Sequence, residues 1–124
     1  MSNSKVITDF IAAWNQMDFD SISESLDENV LYHNIPMEPL QGKEAALGFL
    51  RSLSECESIF WELLFIAENR GVVLTERVDN FNYKDGRKIS LPVMGTFEIK
   101  DGKIIKWRDY FDLSTFQKQI MGES

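Results

Sequence analysis

Residues 58–112 read SIFWELLFIAENRGVVLTERVDNFNYKDGRKISLPVMGTFEIKDGKIIKWRDYFD, and the punctuation of this stretch decides the fold. Four runs rich in β-branched and aromatic residues, at about 58–68, 72–82, 88–99 and 103–112, are broken by Asn69-Arg70-Gly71, Lys84-Asp85-Gly86 and Lys100-Asp101-Gly102. Each break reads as a three-residue loop with glycine last, where a type I turn needs a left-handed residue. Loops this short join neighbouring antiparallel strands, so the spacing predicts a long, curved meander.

Working outward, the N-terminal half changes period. Val6, Phe10, Ala13, Trp14 and Met17 recur at helical spacing and predict an amphipathic helix over residues 4–17. Asp20 opens a shorter helical piece carrying Ile22 and Leu26. Val30 to Asn34 reads as a short strand, ended by Pro36 and Pro39. A third helix is expected after Gly42, with Ala46, Phe49, Leu50 and Leu53 on its buried stripe, and a last one near 114–121 with Phe116 and Ile120. Helices first and a meander second predict an α+β fold, helices on one face of one sheet, with residues 1–124 as a single domain.

A chain of 124 residues buries roughly two-thirds of its unfolded surface. With 44% hydrophobic and 12% aromatic residues it can build both a core and a pocket. Thirteen basic against 20 acidic residues give a net charge of −7, a field that repels phosphate backbones and anionic bilayers. Neither a nucleic-acid nor a membrane partner is therefore expected. Cys56 is the lone cysteine, which suits a reducing compartment and precludes an intramolecular disulfide. The polar stretch Met1 to Lys5 and the lack of a long apolar run add to a cytoplasmic expectation. There is no glycine-rich phosphate loop, zinc-spaced His/Cys cluster or basic aromatic stripe, so no metal or cofactor is expected.

The two Lys-Asp-Gly loops allow a register estimate. As three-residue loops they pair Tyr83 with Arg87 and Ile99 with Lys103. Counting inward then places Arg77 opposite Val93, Val93 opposite Asp109, Trp107 over Gly95, and Asp79 and Phe111 on either side of Leu91. If both were two-residue turns, Met94 would lie in the middle instead. Either way Arg77 and Asp109 flank one central residue on one face. Two strand spacings are roughly 9–10 Å, a span an arginine facing a carboxylate largely covers.

Alternation turns Asp79 the same way as Arg77, and Trp107 and Phe111 the same way as Asp109. One arginine and two aspartates thus share an apolar concave face, where isolated charges would be costly. Two readings stand side by side. The charges form a structural ion network, or they are a paired-carboxylate site in which one arginine cannot neutralise two aspartates and one proton is retained. The second arrangement supplies an acid and a base near neutral pH. Leu91, Val93, Trp107 and Phe111 would make the walls apolar. His33 is turned away from Tyr32 and Asn34 and reads as a structural or surface residue, while Cys56, Trp14 and Trp61 read as packing residues.

Tyr32-His33-Asn34, Glu76-Arg77-Val78-Asp79, Leu91-Pro92-Val93-Met94-Gly95 and Trp107-Arg108-Asp109-Tyr110-Phe111-Asp112 together resemble the limonene-1,2-epoxide hydrolase family. The resemblance covers almost the whole chain. It implies the cone-shaped fold of a curved antiparallel sheet with N-terminal helices on its concave face, shared with nuclear transport factor 2, scytalone dehydratase and ketosteroid isomerase. It also implies cofactor-free hydrolysis of a small hydrophobic epoxide by a homodimer. In that scheme Asp109 is the general base, acting on a water held also by Tyr32 and Asn34. Asp79 is the general acid, and Arg77 bridges the two carboxylates. The same fold hosts isomerases, polyketide cyclases and non-catalytic binding modules, so these remain the alternatives.

Overall fold

The structure is a computed structural model and describes residues 2–122. Helix α1 (Asn3–Asn15) starts where the Ser2 hydroxyl accepts a hydrogen bond from the Lys5 amide, and it buries Val6, Ile7, Phe10, Ile11, Ala13 and Trp14. Met17, with φ 53°, reverses the chain into α2 (Phe19–Ser25), which is capped by the Asp18 carboxylate and buries Ile22. Leu26, expected on that helix, instead opens strand β1 (Leu26–Asn34). A two-residue strand β2 (Leu40–Gln41) follows, then α3 (Lys43–Leu50) and a 3-10 turn over Arg51–Glu55 that carries Leu53. Phe49, expected on the buried stripe of α3, is 38% exposed.

The meander is β3 (Cys56–Asn69), β4 (Val72–Tyr83), β5 (Lys88–Lys100) and β6 (Lys103–Tyr110), followed by α4 (Leu113–Ile120). The six strands form one sheet in the order β2-β1-β6-β5-β4-β3. The meander pairs are antiparallel, whereas β1 joins β6 in parallel, so the sheet is mixed. Among the described residues, no helix is long and apolar enough to cross a membrane.

Only one of the three turns has the expected length. Tyr83 and Arg87 bracket Lys84-Asp85-Gly86, with Gly86 at φ 96°. The other two are two-residue turns with both central residues at positive φ: Arg70 and Gly71 at 53° and 79°, Asp101 and Gly102 at 52° and 77°. That geometry matches the twist of paired strands better than a type I turn does. Lys100 therefore pairs with Lys103. The register then slips once more, because Ile99 pairs with Ile104 but Glu98 pairs with Lys106. As a result Asp109 lies opposite Gly95, not Val93, and Trp107 lies opposite Phe97, not Gly95. The correction is two residues along one strand, so every side chain keeps its face.

The core lies between α1 and the inner face of the sheet. Phe10 meets Trp61, Phe97 and Trp107 edge-on, with centroids 6.1, 6.0 and 5.2 Å away, and Trp14 stacks on Trp61 at 4.9 Å. Rings of this size contribute about 4–6 kcal/mol each through burial, before entropy is counted. Beyond Met94, β5 loses β6 as a neighbour, and α4 covers the gap. The Gln119 amide bonds the Ser90 backbone through its oxygen (2.8 Å) and its nitrogen (3.1 Å), as a neighbouring strand would.

Candidate active site

The inward row of β4 runs Val73, Thr75, Arg77, Asp79, Phe81, all buried. Arg77 is fully buried although its side chain carries a full charge. It is tolerated because each of its five N–H groups has an acceptor. Nε and Nη2 hold the two oxygens of Asp79 at 3.0 and 2.8 Å. Nη1 and Nη2 hold the two oxygens of Asp109 at 3.3 and 3.2 Å. The second Nη1 hydrogen goes to the Thr75 hydroxyl at 3.1 Å. The guanidinium also lies 4.2 Å from the ring centre of Trp61, which adds a cation–π contact on one face.

Asp79 and Asp109 are each 4% exposed. Burial pushes the Asp79 carboxyl up to about 6; Arg77 opposes that shift and the Asp109 charge adds to it. Burial alone would depress Arg77, but the carboxylates of Asp109 and Asp79 outweigh it and raise the guanidinium above its ordinary value. The group at β4 is thus a permanent cation between two carboxyls, one of which holds its proton into the near-neutral range.

Gly95 makes the arrangement possible. It sits between Thr75 and Asp109 in the strand register, and a Cβ there would fall inside contact distance of both Arg77 Nη1 and Asp109 Oδ1. The missing side chain is the passage through which the arginine reaches across β5 to β6.

The parallel pairing of β1 with β6 places Asn34 beside Asp109 and Tyr32 beside Trp107. The Tyr32 hydroxyl accepts from Asn34 Nδ2 at 3.0 Å. Its ring lies 4.2 Å from that of Trp107. Burial first, and the Asp109 charge second, raise the phenol above its ordinary value, so Tyr32 stays a neutral hydrogen-bonding group. His33 points away and bonds the Met37 carbonyl through Nε2 at 3.0 Å.

Asp79, Asp109, Tyr32 and Asn34 open on a cavity of about 250 Å³, whose wall includes Leu91, Val93, Trp107 and Phe111. Trp14 and Trp61, read from sequence as core alone, line it too. So do Phe49 and, from α4, Phe116 and Ile120. Sequence reasoning missed Thr75, Gly95 and Trp61 as parts of the charged cluster. Alternation from Arg77 points to Thr75, whereas Trp61 comes opposite Asp79 only through the bulge between Leu63 and Phe65, which counting back from the Asn69–Val72 turn does not show. Among the described residues, no group of three or more His, Cys, Asp or Glu side chains is placed to hold a metal ion.

The model of the limonene-1,2-epoxide hydrolase catalytic domain matches residues 1–122. Epoxide hydrolase EphG of Mycobacterium tuberculosis is 30% identical over 112 residues, 90% of this chain and 74% of its own. The solved structure of an M. tuberculosis epoxide hydrolase of the same type superposes with a TM-score of 0.82 at 28% identity, covering 95% of this chain and 89% of that one. A putative polyketide cyclase from Xanthomonas campestris reaches a TM-score of 0.83 at 20% identity, over 95% of this chain and 96% of that one, which is a likeness of fold.

Proposed function

Because this chain belongs to the limonene-1,2-epoxide hydrolase family, we propose that it adds water to a hydrophobic epoxide to give a vicinal diol. The reaction is one step of general acid/base catalysis with no covalent intermediate. The observation that carries this reading is Arg77 clamped between Asp79 and Asp109 in the wall of an otherwise apolar cavity, with Tyr32 and Asn34 beside Asp109.

In this scheme a water lies against Asp109, Tyr32 and Asn34. Asp109 takes one of its protons as the water oxygen bonds to an epoxide carbon. The carbon–oxygen bond of the ring breaks, and the leaving oxygen takes the proton of Asp79. Asp109 ends protonated and Asp79 ionised, and one proton returned from Asp109 to Asp79 resets the pair. Arg77 stays charged throughout and holds both carboxyls in place. Strain in the three-membered ring drives the opening, and each positioned proton transfer contributes about 10²–10⁴-fold. A neutral Asp79 near pH 6 is the form an acid catalyst needs. The lining of Leu91, Val93, Trp107 and Phe111 favours a hydrocarbon-rich substrate.

The protein works as a homodimer joined through the outer face of the sheet. Phe65, Glu76, Met94 and Tyr110 form one row across β3 to β6, and Phe65, Met94 and Tyr110 are 72, 52 and 45% exposed. Arg108 lies on the same face, bonded to Glu98. A mixed aromatic and charged surface of this kind suits association. The free Cys56 fits a cytoplasmic setting.

The test is a panel of hydrophobic epoxides incubated with the purified protein, with diols separated and identified. Diol from at least one substrate, and none with Asp109→Asn at unchanged melting temperature, is expected. Absence of diol from every substrate, or undiminished turnover by Asp109→Asn, would overturn the reading.

A further inference from the structure

We infer that Thr75 is a positioning residue that sets where the shared guanidinium sits between the two carboxyls. The inference rests on the epoxide-hydrolysing reading of the site but concerns a residue that touches neither the water nor the substrate in that scheme.

Arg77 spends four of its N–H groups on Asp79 and Asp109, so a shift of the guanidinium alters the hydrogen bonds of both carboxyls at once. The fifth N–H is given to Thr75 Oγ1 at 3.1 Å. That oxygen is available as an acceptor because its own proton goes to the Gly95 carbonyl at 3.2 Å. The hydroxyl is therefore oriented by the backbone of β5, and it fixes Nη1 relative to a strand rather than to another movable side chain. Thr75 is 1% exposed, so no bulk water can replace the hydroxyl if it is lost. Gly95 is the second half of the device. Opposite both Thr75 and Asp109, it leaves the space that Nη1 and Asp109 Oδ1 occupy, and its carbonyl holds the threonine.

Removing the hydroxyl leaves Asp109 as the only acceptor for Nη1. The guanidinium then swings toward β6 and away from Asp79, whose two bonds lengthen. The titratable and charged groups facing Asp79 are Arg77 on its own strand, Asp109 on β6 and Tyr32 on β1. With the cation drawn off, burial and the Asp109 charge act on Asp79 less opposed, and its carboxyl holds its proton to higher pH. Misplacing the acid by a fraction of an ångström to an ångström costs up to about 100-fold in rate.

The experiment compares Thr75→Val, which keeps the shape and removes the hydroxyl, with Thr75→Ser, which keeps the hydroxyl. For an epoxide that the wild type hydrolyses, Thr75→Val is expected to lower kcat about 10–100-fold with KM changed less than about threefold, and Thr75→Ser to stay within about threefold of wild type. In parallel, the Asp79 carboxyl is titrated by carbon-13 NMR in aspartate-labelled protein, a readout independent of turnover. Its midpoint is expected to rise in Thr75→Val and to stay put in Thr75→Ser. An unmoved midpoint in Thr75→Val, or equal kcat loss in the serine variant, would overturn the assignment. A wild type that opens no epoxide would instead remove the hydrolase reading and leave the titration to decide on Thr75.

Discussion

Arg77→Met keeps an unbranched stem in the same channel and removes the cation. The wild-type side chain is fully buried, makes five hydrogen bonds and is the only positive group touching Asp79 and Asp109 among the described residues. Breaking a buried pair from one side costs about 3–5 kcal/mol, because the partners stay buried without compensation. For 124 residues the unfolding entropy is about 0.26 kcal/mol/K, so the melting temperature should fall by about 12–19 °C at pH 7–8.

The deficit should depend on pH, and its sign follows from Asp79. Its folded-state value already stands above the ordinary 3.8 with Arg77 present, and it rises further once the only opposing charge is gone. A carboxyl that binds its proton more tightly in the folded state contributes stability that is present below the unfolded value and lost as pH rises through the folded one. Arg77→Met should therefore approach wild type near pH 4 and separate from it toward pH 8. Thermal unfolding followed by circular dichroism across that range measures both. A loss below about 3 °C at pH 8, or a loss equal at pH 4 and pH 8, would refute the view that the arginine chiefly compensates buried carboxylates.

The proposed role of Asp79 as proton donor predicts that kcat/KM falls as pH rises above about 6, where the carboxyl loses its proton; an activity that climbs steadily from pH 6 to pH 8 would contradict that role. Tyr32→Phe and Asn34→Ala should each reduce turnover by less than Asp109→Asn does, because in the proposed scheme each removes one of several contacts to the same water; steady-state kinetics on one epoxide ranks them. Light scattering at micromolar concentration should give about twice the 14.4 kDa chain mass, and a Met94→Lys substitution in the centre of the outer row should shift it toward the monomer.

The meander was legible because glycines and period-2 runs are local signals, and so was the face shared by Arg77, Asp79, Asp109 and Trp107. The register of β4 on β5 was legible too, with Arg77 opposite Val93 and Asp79 opposite Leu91, but that of β5 on β6 was not. Asp101 occupies a left-handed conformation that aspartate tolerates but does not announce, and the slip between Glu98 and Ile99 leaves no compositional trace. The assignment of faces survived because the error was two residues. The role of Gly95 was lost with the register, since only the true pairing puts it between the arginine and the aspartate. The parallel contact of β1 with β6 joins segments some seventy residues apart through no hairpin, so no local pattern reveals that Asn34 stands beside Asp109. Trp61 was read as core because its helix-side packing is what aromatic burial suggests, while its contact with Arg77 depends on the β3 register.

The most direct test of the chemistry is a single turnover in heavy-oxygen water, with enzyme in excess over an epoxide that the panel identifies as a substrate. Direct attack by a water held at Asp109 predicts one heavy oxygen in the diol and none in the protein, with mass spectrometry of the peptides spanning Asp79 and Asp109 unchanged. Unlabelled diol, with the heavy oxygen recovered in either aspartate, would mean that a carboxylate attacked carbon first, and the water-attack account would be contradicted.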